Sequence, residues 1–546
     1  MQKNLFLAIA VSFMILFGFN FIKYKNDLEN QNNNLQANQS EENLEENVLS
    51  KFLKIDTQAF KGEIALTGLR LTHASLTDYK KDLNSKKEVE LLTDEDNKES
   101  YFINFGFNGS GIMLPNSKTT WTASSMELTE NSPVELTWKN KAGVLFTVNL
   151  KIQDDYLIAS EMKVHNPTDN TFDISMYVLM NKTYNHKNLV SNAILHEGII
   201  GAFDSKLEEF SYNYIRDERY KAFQANKINW FGITEKYWLA AIIPNGNSLY
   251  NSAMQYDFVN GADKIQIDIS TKQLKLEPNE TVKAEYNIFL GPKKYHILDS
   301  YDKKYNIPLF DRAIDFGWLY FITKPLFLLL VFINKYITNF GLSILALTLF
   351  IKILMFSITN KAYDSMQKMK DLQPKIEELK VKFANDKMQL NKEIFELYKK
   401  YKINPFIGLL SILIQIPLFF GIYKVLYVTI EMRHAPFFGW IQDLSSADPS
   451  NIFTLFGLFP NSLDILHLGA WPILMAISMY FQQLFNQVAD PIQAKVMKLL
   501  PLIFLFTFAS FPAGLLIYWT FSNLISIAQQ YFIKIKNKNH IQIKYK

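Results

Sequence analysis

Long apolar runs alternate with polar stretches along this chain, and their lengths predict membrane-spanning helices. The runs occupy residues 5–22, 340–358, 405–430, 466–485, 496–511 and 512–533. Because about 20 apolar residues cross a bilayer as a helix, these runs predict six crossings. The fifth run has only 16 residues. As a helix it reaches about 24 Å, less than the roughly 30 Å hydrocarbon core, which favours local thinning of the bilayer.

The first apolar run has the length of either a signal peptide or a membrane anchor. It is followed by Lys23, Tyr24 and Lys25, without a small-x-small cleavage site. This predicts an uncleaved transmembrane anchor over residues 1–25. Residues 26–50 are rich in Asn, Gln and Glu and poor in large apolar residues, so we interpret them as a flexible tether.

Residues 51–308 show a period of two instead of long apolar runs. Apolar residues alternate with other residues over 144–152, 265–269 and 282–290, and turn signals such as Asn166-Pro167 separate the segments. This pattern predicts antiparallel strands, and many such strands in one region are typical of a β-sandwich.

Charge placement predicts the topology. Residues 361–404 contain eleven lysines and seven acids, an excess that marks a cytoplasmic loop. The loop 431–464 carries Arg433 as its single Lys or Arg, and the tail 534–546 is basic. Both termini are therefore predicted in the cytoplasm, with the β-domain and the 431–464 loop outside. Residues 309–338 must then lie along the interface as an amphipathic helix, because a crossing there would place the β-domain on the cytoplasmic side of the membrane.

A heptad-like pattern predicts a helical hairpin within residues 361–404. The apolar spacing begins at Met369, Leu372 and Ile376, and a second run includes Leu397. Two helices packed antiparallel explain this pattern, and Pro374 either interrupts the first helix or starts it. Two interpretations stay equally open: a solvated hairpin kept soluble by lysines, and an arm that binds anionic partners or chains arriving at the membrane.

Composition excludes several kinds of chemistry. The chain has a net charge of +4 and no cysteine, which excludes disulfides, thiolate metal sites and a cysteine nucleophile. The sequence contains no HExxH motif, no phosphate-binding loop and no nucleophile elbow, and its histidines are scattered. We therefore predict no catalytic residue, no metal site, no cofactor and no enzymatic activity.

Lys352 is the main candidate for function, because it is the single charge within the apolar run 340–358. A charge at bilayer depth is costly and usually faces a protein interior or a water-filled cavity. The alternative is that its long side chain reaches the headgroups. Other polar residues lie in the predicted spans, and they commonly join helices by hydrogen bonds: Thr348, Gln415, Thr520, Ser522, Asn523, Ser526 and Gln529.

A series of short motifs runs along residues 310–533: Met366-Gln367-Lys368-Met369, Leu372-Gln373-Pro374-Lys375-Ile376, Leu397-Tyr398-Lys399-Lys400, Asn404-Pro405, Gln415-Ile416-Pro417, Glu431-Met432-Arg433, Ala435-Pro436-Phe437, Trp440-Ile441, Asp443-Leu444-Ser445, Asp448-Pro449, Phe511-Pro512-Ala513-Gly514-Leu515 and Ser522-Asn523-Leu524. In this order the motifs resemble the YidC/Oxa/Alb family of membrane protein insertases, in its Gram-negative form with a large periplasmic domain.

The resemblance implies a polytopic α-helical membrane protein with a periplasmic antiparallel β-supersandwich and a five-helix insertase core over residues 339–533. In this family a hydrophilic groove, open to the cytoplasm and to lipid, holds a basic residue that attracts acidic groups of the client's translocating tail. Lys352 corresponds to that residue, although the family usually has arginine there. Lysine keeps the charge but lacks the bidentate fork. The remaining groove positions implied are Thr348, Gln415, Trp519, Thr520 and Asn523.

The resemblance also implies location and partners. The protein is expected in the bacterial inner membrane, where it inserts and helps fold newly made membrane proteins. Expected partners are the Sec translocon (SecYEG and SecDF), the ribosome, the signal-recognition-particle receptor and membrane lipids, with no DNA. The hairpin is expected to dock partners through Met369, Leu372, Pro374, Ile376, Leu397 and Tyr398.

Two other hypotheses remain at this point. An ion or solute channel would need a continuous polar path, although the outer halves of the predicted spans are strongly apolar. A membrane-tethered carbohydrate-binding protein would need acids and aromatic residues clustered in a cleft of the β-domain. Deletion of about residues 60–290 separates these hypotheses, because an insertase core should keep its activity and a carbohydrate-binding protein should lose it.

Overall fold

The computed structural model describes residues 51–93, 99–184, 195–246, 249–259, 261–401, 406–452, 468–485 and 491–544. The predicted anchor (1–25) and tether (26–50) lie outside the described residues. The chain divides into two compact units at the junction of Asp315 and Phe316. The first unit is built of strands and the second of helices.

The first unit contains 20 strands, which confirms the predicted β-sandwich domain. They are β1 (Phe52–Asp56), β2 (Phe60–Ala65), β3 (Arg70–Lys80), β4 (Glu88–Leu92), β5 (Tyr101–Ser110), β6 (Thr122–Ala123), β7 (Glu127–Leu128), β8 (Val134–Lys139), β9 (Leu145–Asp154), β10 (Leu157–His165), β11 (Phe172–Tyr184), β12 (Gly198–Phe203), β13 (Lys206–Ser211), β14 (Tyr220–Phe223), β15 (Ile228–Thr234), β16 (Trp238–Asn245), β17 (Tyr250–Val259), β18 (Ala262–Thr271), β19 (Leu274–Leu276) and β20 (Thr281–Pro292) among the described residues.

These strands form two sheets. One has eleven strands in the order β14-β17-β18-β11-β5-β3-β2-β1-β7, with β19 beside β11 and β4 beside β3. The other has nine in the order β13-β12-β15-β16-β20-β10-β9-β8-β6. The pairing is antiparallel except between β1 and β7. Alternation decides which side chains enter the core: Ile265, Ile267 and Ile269 of β18 are fully buried, and the residues between them are half-buried.

The nine-stranded sheet is covered on its second face by the end of the unit. Helix α1 (Tyr212–Glu218) follows β13, whereas α2 (Tyr295–Tyr305) and a 3-10 turn (Phe310–Ala313) follow β20. The ring of Phe310 lies 5.5 Å from that of Trp230, whose Nε1 donates to the carbonyl of Pro308 at 3.1 Å. This second layer explains why every residue of β15 is buried, and the strand therefore lacks the polar alternation of β18.

The second unit contains eight further helices among the described residues, and polar breaks separate them. They are α3 (Tyr320–Ile337), α4 (Phe340–Asp371), α5 (Gln373–Lys382), α6 (Lys387–Lys400), α7 (Phe406–Val428), α8 (Ala470–Phe485), α9 (Pro491–Thr507) and α10 (Ala513–Lys544), with a 3-10 turn at Ile430–Met432. Helix α10 packs against α4 and α8, α3 packs against α4 and α7, and α9 packs against α8.

Five helices correspond to the apolar runs after residue 339, namely α4, α7, α8, α9 and α10. In the described part of the chain, two helical segments are long and apolar enough to cross a bilayer, Tyr320–Ile337 and Phe340–Met369. Gln415–Val428 and Met497–Thr507 are apolar but shorter. The predicted count of six crossings is therefore not confirmed.

Candidate functional site

Helices α4 and α10 bring Lys352 against a buried serine. The Nζ atom of Lys352 donates to Oγ of Ser526 at 2.7 Å, and this Oγ donates to the carbonyl oxygen of Ser522 at 2.9 Å. Ser526 is 2% exposed, whereas Lys352 is half-buried. No carboxylate of the described residues lies within 4.0 Å of this ammonium, so its hydrogen-bonded partner here is a neutral hydroxyl.

The contact belongs to a group of polar residues on the two helices, which we call the polar seam: Thr348, Lys352 and Asn360 on α4, with Ser522, Asn523, Ser526 and Gln529 on α10. Gln529 donates through Nε2 to Oδ1 of Asn360 at 2.6 Å and to the carbonyl oxygen of Phe356 at 3.4 Å. Ser526 and Gln529 are spaced three residues apart, so they share one face of α10. The seam therefore continues from Lys352 towards the C-terminal part of α4.

Three of the predicted groove residues are buried in or next to this seam. Asn523 donates from Nδ2 to Oγ of Ser478 on α8 at 3.0 Å, and so joins α10 to a second helix. The hydroxyls of Thr348 and Thr520 each donate, at 2.7 Å, to the carbonyl oxygen four residues earlier in their own helix. Such local bonds use the hydroxyl hydrogen and leave the oxygen able to accept a hydrogen bond from a neighbour.

The other two predicted groove residues lie elsewhere in the helical unit. Gln415 on α7 is exposed. Trp519 on α10 packs among aromatic rings, with centroid distances of 4.7 Å to Phe419, 5.0 Å to Phe508 and 5.5 Å to Phe504. Among the contacts of the described residues, neither side chain is joined to Lys352.

Sequence reasoning missed the partner of Lys352. Ser526 was one of several polar residues of the last apolar run, and nothing in the sequence distinguished it from Ser522. The available signal was the three-residue spacing of Asn523, Ser526 and Gln529, which marks a polar stripe on one helix face. The alignment of that stripe with Lys352 depends on the axial register of two helices about 170 residues apart.

A loop, residues 430–452, covers one end of the helical unit, and two aspartates organise it. Oδ1 of Asp443 accepts hydrogen bonds from the backbone N–H groups of His434 and Ser445, at 3.1 and 2.8 Å. Asp448 is fully buried, and its carboxylate accepts from Nε1 of Trp440 at 2.9 Å and from the backbone N–H of Trp471 at 2.7 Å. These bonds fold the loop into a fixed shape.

The loop contacts the N-terminal ends of two helices of the seam. The backbone N–H groups of Ala513 and Gly514 on α10 donate to the carbonyl oxygens of Ser446 and Leu444, at 2.7 and 3.0 Å. At the start of α4, Gly341 lies so close to the ring of Phe437 that a Cβ atom would be 1.9 Å from it. Because Lys352 lies about three turns along α4, the loop closes one end and the seam extends towards the other.

Large apolar side chains cover the outside of these helices. They are more than a third exposed on α4, α8, α9 and α10, as expected of surfaces that contact lipid rather than water. The exposed set comprises Leu349, Phe350, Ile353, Leu354, Phe356, Ile358, Leu474, Ile477, Tyr480, Phe481, Leu484, Leu499, Leu502, Phe506, Leu524, Tyr531, Phe532 and Ile535.

The hairpin of α5 and α6 has a small apolar core of its own. Leu372 and Ile376 are buried, and Met369, Ile394, Leu397 and Tyr398 pack against them. Pro374 stands at the start of α5, where a missing N–H costs nothing. Asp386 caps α6 by accepting from the N–H groups of Met388 and Gln389. The structure thus brings five of the six predicted docking residues together and places Pro374 beside them.

No cluster of three or more metal-ligating side chains occurs within the described ranges. The polar groups of the seam are hydroxyls, amides and one ammonium. They can form hydrogen bonds and attract an anion, but an arrangement of nucleophile and base of the kind that supports covalent catalysis does not occur among them.

Two family models match the chain. The model described as 60Kd inner membrane protein matches residues 332–540, and the model described as YidC periplasmic domain matches residues 53–329. Together they cover the helical unit and the β-domain.

Curated relatives match over nearly the whole chain. The membrane protein insertase YidC of Rickettsia felis is 46% identical over 552 residues, covering 97% of this chain and 98% of the relative. That of Rickettsia typhi is 45% identical over 549 residues, with the same coverage. Among solved structures, a crystal structure of an active YidC insertase aligns with 90% of this chain and 93% of its own, at 16% identity and a TM-score of 0.37.

Proposed function

The chain belongs to the YidC family of membrane protein insertases, and from this premise we propose that it inserts client proteins into the inner membrane by way of the polar seam around Lys352. Members of this family are insertases rather than enzymes, and they carry a periplasmic domain, here the β-sandwich. This membership does not favour the ion-channel and carbohydrate-binding hypotheses. The observation that carries the proposal is the Lys352–Ser526 contact, in which a cation inside the helical unit has a neutral partner.

The proposed mechanism begins with exchange of the partner of Lys352. The Lys352–Ser526 hydrogen bond has one ionised partner, whereas a bond between an ammonium and a carboxylate has two and adds the attraction of opposite charges. An acidic side chain in a client's tail therefore competes well with the hydroxyl of Ser526. The uncompensated charge of Lys352 attracts the tail, and Ser526 holds the ammonium in place until the tail arrives.

The polar seam then lowers the cost of bringing a hydrophilic tail partway across the membrane. Polar backbone and side-chain groups in hydrocarbon cost several kcal/mol each when they lack partners. Hydroxyl and amide groups along the seam supply such partners. Loop 430–452 covers the opposite end, so the tail is proposed to enter from the cytoplasmic side and to stop beneath this loop before it crosses.

The hydrophobic segment of the client is proposed to leave sideways into lipid. The exposed apolar surfaces of α4 and α10, the two helices that carry the seam, would guide it. Transfer of the segment out of water releases roughly 25 cal/mol per Å² of buried apolar area. For a transmembrane helix this exceeds the cost of moving a short tail, so no nucleotide is required.

The remaining features are proposals that follow from family membership and charge. We propose six crossings with both termini in the cytoplasm, residues 309–338 along the interface, and helix α10 continuing into the basic tail 534–546. The hairpin is proposed to dock partners on the cytoplasmic side, which would include the Sec translocon, the ribosome and the signal-recognition-particle receptor.

Reconstitution tests the proposal. A single-span client with an acidic N-terminal tail is offered to liposomes that contain the purified protein, and insertion is measured as protection from external protease. We expect protection with wild type and little with Lys352→Ala. The matched control is Lys335→Ala, which removes an exposed lysine at the end of α3 and should insert normally. Equal insertion by Lys352→Ala would remove Lys352 from the mechanism, and no insertion by wild type would contradict the proposed function.

A further inference from the structure

A cavity of about 250 Å³ lies on the eleven-stranded sheet of the β-domain. Its floor comes from four neighbouring strands, β3, β5, β11 and β18. Its polar lining includes Arg70, Asn104, Tyr177, Asn181, Lys264 and Gln266. Nothing in the insertase mechanism uses these residues.

The strand register explains how these side chains meet. Arg70 lies opposite Asn104, and Asn181 lies between Phe102 and Gln266 in the next row of the sheet. Because successive side chains of a strand point to opposite faces, these residues share the face away from the sandwich core. Tyr177 lies across Gly106, where a Cβ atom would be 2.1 Å from its ring. Glycine is therefore required at position 106 for the ring to lie flat against the sheet.

The loop 111–121 forms a wall of the cavity and is held in place. The backbone N–H of Gly68 donates to the carbonyl of Thr119, and that of Trp121 donates to the carbonyl of Leu66, both at 2.9 Å. The Trp121 ring stacks on Phe107 with centroids 6.1 Å apart. The cavity is thus bounded by a fixed sheet and a fixed loop, so it exists before any ligand binds.

The lining is positively charged. It contains Arg70 and Lys264, and no acidic residue is among its lining side chains. The guanidinium of Arg70 lies 4.9 Å from the centre of the Phe102 ring, whereas Lys264 forms no ion pair with the described residues. Three strand spacings, about 14 Å, separate β3 from β18. The two cations therefore reach the cavity from opposite sides.

The remaining polar groups match a peptide. Asn104, Asn181 and Gln266 carry carboxamides, each with a donor and an acceptor that can pair with a backbone amide. Asn181 is 3% exposed, and its Oδ1 has no hydrogen-bond partner among the described residues. A buried carbonyl oxygen without a partner is costly, so a ligand that donates an N–H group to it would gain affinity.

We propose that this cavity binds an acidic segment of an extended polypeptide, with carboxylates paired to Arg70 and Lys264 and backbone amides paired to the carboxamides. The inference rests on the proposed function only for the origin of the peptide, which is the exported acidic tail of an inserted client. The cavity would hold such a tail on the periplasmic side. Acidic residues first attracted by Lys352 would then meet a second positive site after crossing.

Peptide binding to the full-length protein in detergent micelles tests the inference. The probe is the labelled peptide acetyl-Glu-Gly-Glu-amide, compared with acetyl-Gln-Gly-Gln-amide by fluorescence anisotropy at low salt. We expect the acidic peptide to bind at least tenfold more tightly, and salt to weaken it because charge pairs at exposed sites are screened. Equal binding of the two peptides would overturn the inference.

Variants locate the binding. Arg70→Gln and Lys264→Gln should each weaken the acidic peptide about tenfold, the usual size of one charge-assisted hydrogen bond. Lys61→Gln, an equal charge change at an exposed position of β2, should leave it unchanged. If Lys61→Gln weakens binding as much as the other two, the attraction is general and the cavity is not the site.

Two further measurements separate this inference from its alternatives. If the protein binds galacturonate and does not bind the acidic peptide, the cavity takes a carboxylated sugar, and the peptide assignment is overturned. Lys352→Ala should bind the peptide like wild type, because the cavity belongs to the β-domain. A wild-type protein that binds the peptide but inserts no client would count against the proposed function alone, and one that inserts clients but does not bind the peptide would count against the cavity alone.

Discussion

The ammonium of Lys352 and the hydroxyl of Ser526 are 2.7 Å apart, on helices α4 and α10. This pair places a charge inside the helical unit and gives it a partner that a carboxylate can displace. If Lys352 were paired with a carboxylate of the protein, it would be held in that ion pair and unavailable to a client, because buried ion pairs are costly to break. The weakness of the contact is what makes the site suited to transient binding.

Removal of the serine hydroxyl should spare insertion. In Ser526→Ala the ammonium loses its resting hydrogen bond, worth roughly 1.5 to 3 kcal/mol, but keeps its attraction for client carboxylates. We expect insertion in liposomes at the wild-type rate or faster, with a lower unfolding temperature. Ser510→Ala, in the turn that follows α9, is the control. Insertion as poor as that of Lys352→Ala would instead give Ser526 a direct part in handling the client.

Arginine at position 352 should support insertion. Lys352→Arg keeps the positive charge and adds a planar fork that binds a carboxylate through two bonds. We expect the variant to insert acidic-tailed clients at least as well as wild type, measured by protease protection, while Lys352→Gln inserts them poorly. Equal failure of both variants would mean that the ammonium's shape, and not its charge, is required.

Loss of Asp448 should open the covered end of the helical unit. Its carboxylate is fully buried and accepts from two tryptophans and from the backbone N–H and hydroxyl of Ser450, so Asp448→Ala removes the partner of four donors, at a cost of roughly 2 to 4 kcal/mol. Because the sequence has no cysteine, one Thr348→Cys substitution reports access. An external maleimide should label this cysteine in the Asp448→Ala background and not otherwise. Labelling at equal rates in both backgrounds would show that loop 430–452 is not a barrier.

The stability of the β-domain should respond to Asp268. Burial raises the pKa of Asp268 to about 6, above its unfolded value of about 3.9. The folded state therefore holds this proton more tightly, and its stability falls as pH rises from about 4 to 6. Asp268→Asn removes this penalty and should stabilise the domain by roughly 2 to 3 kcal/mol at pH 8, with no gain at pH 4.

The measurement for this variant is the midpoint of unfolding of the full-length protein at pH 8 and pH 4, followed by tryptophan fluorescence. Asp173→Asn on β11 is the matched control and should change neither midpoint. A gain from Asp268→Asn that is equal at both pH values would show that the effect does not come from the charge of the carboxylate.

The hairpin should depend on its small apolar core. Leu372 is 5% exposed and packs with Ile376, so Leu372→Ala should loosen α5 and α6 and speed hydrogen exchange of their backbone amides. Val381→Ala, at a position 80% exposed, is the control and should leave exchange unchanged. If hydrogen exchange in both variants stays as slow as in the wild type, contacts other than those of Leu372 hold the hairpin together.

The sequence predicted elements well where one physical signal dominated. Alternation over 144–152 corresponds to β9 (Leu145–Asp154), and the apolar run 340–358 begins together with α4 (Phe340–Asp371). The end of α4 was less predictable. The helix continues past the apolar run because polar helix-forming residues follow it, and it ends at Asp371, just before α5 begins at Gln373 with Pro374 in its first turn.

Long-range arrangement was the part that the sequence could not supply. Lys352 was identified by the cost of its charge in an apolar run, which is a local property. Its partner depends on the axial register of α10 relative to α4, and many side-chain contacts together determine that register. The fixed shape of loop 430–452 depends likewise on Asp448 meeting Trp471, 23 residues away.

The central claim is that Lys352 acts by attracting acidic groups of the client, and a double-mutant cycle tests it most directly. Insertion rates in liposomes are measured for wild type and Lys352→Gln, each with a client whose tail carries acidic residues and with the same client whose acids are replaced by amides. We predict that Lys352→Gln slows the acidic client strongly and leaves the amide client at its wild-type rate. Equal slowing of both clients would contradict the account, because Lys352 would then act on the structure of the insertase rather than on the charge of the tail.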